Sequence, residues 1–203
     1  MPTAIPPAKA RREQQRHARR ESILAAARKV FAETSFDGAT MADIAREAGV
    51  ASGTVYLYYQ SKIDLFAALN DRLYEIMNAA IRDANAPPDL RGGTQARIHA
   101  IFNACREHDD LLRLVFLNPD PRSEVARRMK RTDERRQGQL ADILRAGISA
   151  GTVRRGDPEL LARLVSGLVV IALYQCFVAS DGRDVRAFEE TVTEMVVGGL
   201  APR

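Results

Sequence analysis

Hydrophobic positions along this chain recur at helical spacing from end to end, and no stretch alternates at the period of a strand. In residues 13–34, Ile23, Leu24, Ala27, Val30 and Phe31 form one stripe, which predicts a first helix. The SFDGA stretch, 35–39, predicts a turn with Gly38 supplying a positive φ. Thr40 then stands three residues before Asp43, the spacing of a capping box, and a short helix follows through Ile44, Ala45 and Ala48 to Gly49. Ser52 is expected to cap a third helix through Tyr59, and Ser61, with Asp64 behind it, a longer fourth one to about Asn85. Pro87, Pro88, Gly92 and Gly93 predict a flexible connection. Further helices are expected at 94–107, 109–118, 122–150, 158–179 and 184–199, with Pro119 and Pro121 separating the second of these from the third. Asp157-Pro158 is an N-cap followed by a proline in the first turn. The expected fold is all-α.

One segment tests the assumption of a water-soluble chain. Leu164 to Ser180 contains no charged residue, but a membrane span needs about 20 apolar residues. This run also holds Ser166, Gly167 and Gln175, with Arg163 and Asp181 at its ends. A helix that covers its own core and a partner's surface has the same composition, and that is the expectation here.

Charge adds a direction to this picture. The net charge is +4, and residues 1–62 carry ten Lys/Arg against six Asp/Glu, so the whole excess is N-terminal. Residues 1–18 read as a flexible basic arm, a composition that fits a polyanion partner and also a merely solvated tail. The arm contains no apolar run of the secretory kind, so the expected location is the cytoplasm. His17, His99 and His108 are too scattered for a metal site, and no metal or cofactor is expected. Cys105 and Cys176 read as packing cysteines, with a redox pair as the alternative. Phosphate-binding loops, nucleophile elbows and paired catalytic carboxylates are absent from the sequence, and no enzyme is expected.

The stretch TMADIAREAGVASGTVYLYY, 40–59, places two short helices around a glycine turn. That is helix-turn-helix spacing, although a helix–glycine–helix corner occurs in other helical proteins too. The surface of the second helix separates the two readings. Ser52, Thr54, Tyr56 and Tyr58 bring hydroxyls to it, Lys62 follows, and a basic arm precedes the unit. Tyr56, Tyr58 and Tyr59 span about 300° of a helix, so Tyr59 is expected inward and the other two outward.

Residues 19–66, in particular ILAAARKVFAETSFDGATMADIAREAGVASGTVYLYYQSKIDLF, resemble the TetR family of bacterial transcriptional regulators. The resemblance implies a three-helix DNA-binding head at 19–66 and a helical effector-binding and dimerisation domain at 67–203. It implies a homodimer on a palindromic operator, usually a repressor, released from double-stranded DNA by a small molecule. Phosphate-facing positions then fall on Thr40, Thr54, Tyr56, Tyr58 and Lys62, and base-facing ones on Ala42, Ser52, Gly53 and Leu57. Arg11, Arg12 or Arg16 would reach a minor groove, because the base-facing set holds no Arg or Asn. Ile63 departs from the acid more usual there. Helices 158–179 and 184–199 would form the dimer interface. Phe102, Cys105, Phe116 and Tyr174 are candidates for the effector pocket, or else plain core. Arg127, Arg128, Lys130, Arg131, Arg135 and Arg136, interleaved with Asp133 and Glu134, read as a solvated face; an anionic effector such as an acyl thioester is the alternative. The other functions left open are a helical enzyme or ligand carrier, and a constitutive DNA-binding module.

Overall fold

The computed structural model describes residues 8–117 and 124–202, excluding the side chains of Ala8 and of 124–136. Pro119, Pro121 and the side chains of the basic run at 127–136 thus lie outside the described residues. Every regular element among the described residues is helical. The chain divides into two compact units, Met1–Leu69 and Asn70–Arg203.

In the first unit, α1 runs Ala8–Gly38. Residues 8–12, expected only as flexible arm, are helical, and so are 13–18, where the expected arm and the expected first helix overlap. Their Ala, Arg, Gln and Glu are all strong helix formers, and a packed helix downstream removes the cost of nucleation. The expected stripe is buried: Ile23 and Ala27 are wholly enclosed, and Leu24, Val30 and Phe31 nearly so. The turn also differs from expectation, for Ser35 takes the positive φ of 65° and breaks the helix there. Gly38 is not among the positive-φ residues. The kink folds Phe36 back onto the core, where Phe31, Phe36 and Phe66 meet with ring centroids 5.3 to 5.8 Å apart. Helix α2, Met41–Glu47, and helix α3, Ser52–Tyr56, follow. Helix α4, Lys62–Asp83, brings Leu65, Phe66 and Leu69 into the core, and the Ser61 hydroxyl accepts from the Asp64 N–H at 3.1 Å.

The second unit takes over within α4 and continues with α5, Leu90–Glu107, and α6, Asp109–Phe116. Helix α5 starts a turn before its expected position, capped by Asp89, which accepts from the Gly92 N–H at 2.8 Å. The glycines expected in a flexible link therefore sit in a helix. A Cβ on Gly93 would lie 2.6 Å from the Pro87 carbonyl oxygen, so the residue serves a close approach of chain to chain. Helix α7 is Glu124–Ser149 and α8 is Pro158–Leu173, with Asp157 accepting from the N–H groups of Glu159 and Leu160. A π-helical turn, Tyr174–Ala179, prolongs α8, and α9, Val185–Leu200, completes the unit. Helix α9 packs on α5, α7 packs on α8, and α6 lies against the π turn. Arg91 pairs with Glu194, and the His99 Nδ1 lies 2.9 Å from a Glu189 carboxylate oxygen, so both links join α5 to α9.

Pro158–Ala179 is the one described helix long and apolar enough to cross a membrane, and a third of its most apolar window is buried.

Candidate nucleic-acid interface

The helix-turn-helix segment is defined at each end by local bonds. The Thr40 hydroxyl accepts from the Asp43 N–H at 3.1 Å, and the Asp43 carboxylate accepts from the Thr40 N–H at 3.2 Å, completing the capping box. The Thr40 hydroxyl donates to that same carboxylate at 2.6 Å, and Arg46 pairs with it at 2.6 Å. Together these hold the Asp43 carboxyl below the usual aspartate range, the Thr40 hydroxyl bond being the largest cause. At the other end Gly49 takes φ 64°. Its N–H donates to the Arg46 carbonyl at 3.2 Å, and the Val50 N–H donates to the Ala45 carbonyl at 3.0 Å. This paired bonding, a Schellman motif, stops α2 abruptly and turns the chain at once into α3.

Helix α3 is only five residues long and is held from below. Val55 is fully buried and Tyr59 nearly so, as expected for Tyr59. The Arg20 Nε donates to the Tyr59 hydroxyl at 3.3 Å, with the guanidinium 5.3 Å from the ring centre. Burial raises the Tyr59 pKa, so the phenol stays a neutral hydroxyl beside Arg20. Ser52 does not cap the helix, contrary to expectation. Ala51 is the N-cap residue and has no side chain to offer, while Ser52 is the first helical residue and points outward.

What remains exposed is a small surface at the start and outer face of α3. Ala42, Ser52 and Gly53 are exposed, and a Cβ on Gly53 would meet nothing within 4 Å. Tyr56 is 52% exposed and Leu57 77%. Thr54 and Tyr58 are half-buried, so Tyr58 is less outward than expected. Two of the expected phosphate contacts are occupied within the head. The Thr40 hydroxyl is engaged by Asp43, as above. The Lys62 ammonium donates to the carbonyls of Asp37 and Ala39 at 3.2 and 3.0 Å and sits 4.6 Å from the centre of the Phe36 ring. Lys62 thus latches the kinked end of α1 to the start of α4.

In the second unit the four pocket candidates separate into two pairs. Phe102 and Cys105 are fully buried, with the Phe102 ring tilted against that of Phe177 at 5.9 Å between centroids. Phe116 and Tyr174 are half-buried and touch one another at 6.2 Å. Burial, with the charge of Asp109 as a lesser cause, pushes the Cys105 thiol up to about 12. Burial raises Cys176 as well, and both cysteines are free. Among the described residues no cluster of His, Cys, Asp or Glu is arranged to hold a metal ion.

Residues 23–69, from the core stripe of α1 to the end of the first unit, match the sequence model of the bacterial regulatory proteins of the tetR family. The chain carries a TetR-family head. It is a DNA-binding transcriptional regulator and not an enzyme. Among curated proteins it is 24% identical over 183 residues to a fatty acid metabolism regulator protein of Bacillus subtilis, covering 88% of this chain and 93% of that one. It is 29% identical over 193 residues to the transcriptional repressor BepR of Brucella suis, covering 89% and 91%. Among solved structures, FadR from Bacillus subtilis in complex with stearoyl-CoA superposes with a TM-score of 0.76 at 23% identity, covering 88% of this chain and 98% of that one.

With the TetR-family head defined, the arrangement of its basic residues becomes informative. Arg12, Gln15, Arg16, Ala18, Arg19, Ser22 and Tyr58 line one open depression beside α3. Arg12, Arg16 and Tyr58 were expected as DNA contacts, but Gln15, Arg19 and Ser22 were not. The spacing of Arg12, Arg16 and Arg19, four residues and then three, was the available signal, since it puts them on one helical face.

Proposed function

We propose that this TetR-family regulator is a repressor that binds a palindromic operator as a homodimer and leaves it when a small molecule enters the second unit. In this reading residues 19–66 are the DNA-binding domain, 67–203 bind effector and partner, and the protein works in the cytoplasm. The observation that carries the reading is the exposed tip of α3. A five-residue helix anchored by Val55 and Tyr59 holds Ser52, Gly53, Tyr56 and Leu57 clear of the head. A side chain as apolar as Leu57 standing 77% exposed suits a thymine methyl in the major groove. The Ser52 and Tyr56 hydroxyls suit base edges and phosphate oxygens.

Dimerisation through α8 and α9 is supported by their open faces. Leu160, Leu164, Gly167 and Ile171 follow one stripe of α8, with Leu164 62% exposed. Thr191, Met195 and Gly198 form the matching exposed stripe of α9. An apolar surface of this kind is what a helical pair presents to a partner. A fatty acyl thioester is the effector class favoured here, on the strength of the likeness to the Bacillus subtilis fatty acid regulator. Light scattering should find a dimer that Leu164→Glu converts to a monomer. Selection of genomic fragments at about 0.15 M salt, where non-specific binding is weak, should return an inverted repeat. Tyr56→Ala and Leu57→Ala should abolish its recovery. Stearoyl-CoA should release the fragment and free CoA should not. Tight binding that no acyl-CoA relieves would favour a constitutive regulator instead.

A further inference from the structure

The cations of the head fall into two groups. Lys29 pairs with Glu47 at 2.7 Å, Arg46 with Asp43, Arg20 holds Tyr59, and Lys62 holds two carbonyls. Each has a partner inside the unit. Arg11, Arg12, Arg16 and Arg19 are all exposed, and none makes an ion pair among the described residues. All four lie on the extended N-terminal part of α1, whose first turn holds no acidic residue. The four and three residue steps from Arg12 to Arg16 to Arg19 gather like charge within an arc of about 60°. Among the described residues of the head no carboxylate pairs with these arginines. An anion alongside the helix would.

We propose that Arg12, Arg16 and Arg19, with the hydroxyls of Ser22 and Tyr58, form a phosphate-binding rail that lays α1 along the DNA backbone next to the groove entered by α3. The inference rests on the operator-binding reading above and specifies how the N-terminal residues take part in it. The depression these side chains line places Tyr58, at the end of the recognition segment, against the basic face of α1. One surface therefore carries both the α3 side and the cations. From Arg12 to Arg19 the helix rises about 10 Å, which spans the axial rise of about three phosphates of one strand. A helix is too wide to enter the narrow minor groove, so the rail replaces the groove-reading arm expected from sequence. Its contribution is to affinity and register, without choice of base.

The test uses the full-length protein and fluorescence anisotropy on two labelled duplexes of about 30 base pairs, one rich in A·T and one in G·C, at roughly 50 to 200 mM salt. Arg12→Ala/Arg16→Ala/Arg19→Ala should weaken binding equally on both duplexes and make the log–log salt slope shallower by about 2 to 3. Gln15→Pro, which breaks the helix while keeping every charge, should reproduce the loss; melting of the packed head, read by circular dichroism, should stay unchanged in the triple variant. A loss confined to the A·T-rich duplex, or a Gln15→Pro protein that binds as well as the parent, would overturn the rail in favour of a flexible groove-reading arm. An unchanged salt slope in the triple variant would overturn it outright. If the parent protein binds neither duplex at the lowest salt, the operator reading itself fails, a result separable from the failure of the rail.

Discussion

The two units of this chain differ in how their buried polar groups are satisfied. In the head the polar groups that close the helix-turn-helix corner have near partners: Thr40 with Asp43, Arg20 with Tyr59, Lys62 with two carbonyls. In the second unit, Asn70 is fully buried with both amide atoms unpartnered among the described residues, and one oxygen of Asp109 is in the same state. Its thiols are buried, its longest apolar helix ends in a π turn, and apolar side chains of α8 and α9 stand open. The head is complete as a folded object and keeps its unspent chemistry on the surface. The second unit keeps buried polar atoms and open apolar faces without contacts of their own, which the proposed partner and effector would supply.

The largest expected effect probes the head's completeness. Phe66→Ala removes the ring that touches both Phe31 and Phe36, and should cost about 3–5 kcal/mol. Denaturant unfolding would read this as an early loss of the head, with DNA binding lost alongside. Lys62→Met, which keeps the length of the side chain and removes its two charged hydrogen bonds, should cost about 2 kcal/mol. An undiminished melting temperature would mean that the latch contributes nothing and that Lys62 is free for phosphate.

Changes in the second unit should move the other way or not at all. Asn70→Leu removes two unpartnered buried polar atoms and should stabilise by about 1 kcal/mol, a rise of roughly 2–4 °C in melting temperature. A fall would show that water or ligand holds the amide, and so sharpen the contrast differently. The head's capping box gives the smallest effect. Because the folded Asp43 carboxyl titrates below its ordinary range, its contribution is full above that range and lost as the pH falls through the lowered value. Thr40→Ala should cost about 1 kcal/mol near neutrality and progressively less in acid, as a pH series of melting curves would show. Finally, Cys105 should resist alkylation at pH 8 in the native protein and react on unfolding, since burial holds its thiol at about 12.

Helix order was legible because each helix keeps an apolar stripe at a 3.6 period, and the α2 cap was legible because Thr40 and Asp43 carry their own spacing. Glycine and proline were more ambiguous. Gly92 and Gly93 signal a link by composition, yet in the fold they relieve crowding against Pro87 inside the first turn of α5. Ser35, not Gly38, takes the strained turn, because the Phe36 ring has to reach the core. The bonds of Lys62 to backbone carbonyls more than twenty residues away are of a kind that no local pattern encodes. The helical extension at 8–12 was misread because basic composition says what a segment attracts and little about its conformation.

The ring cluster of Phe31, Phe36 and Phe66 also has a consequence in time. During synthesis, at about 5–20 residues per second, Phe66 leaves the ribosome some 2–7 s after Phe31. Helices as short as α2 and α3 do not persist alone in water. Until the third ring arrives, the nascent chain has a charged leading end and no recognition helix. On the operator-binding reading, sequence discrimination would then begin only when Phe66 joins the cluster, and any earlier encounter with nucleic acid would be electrostatic.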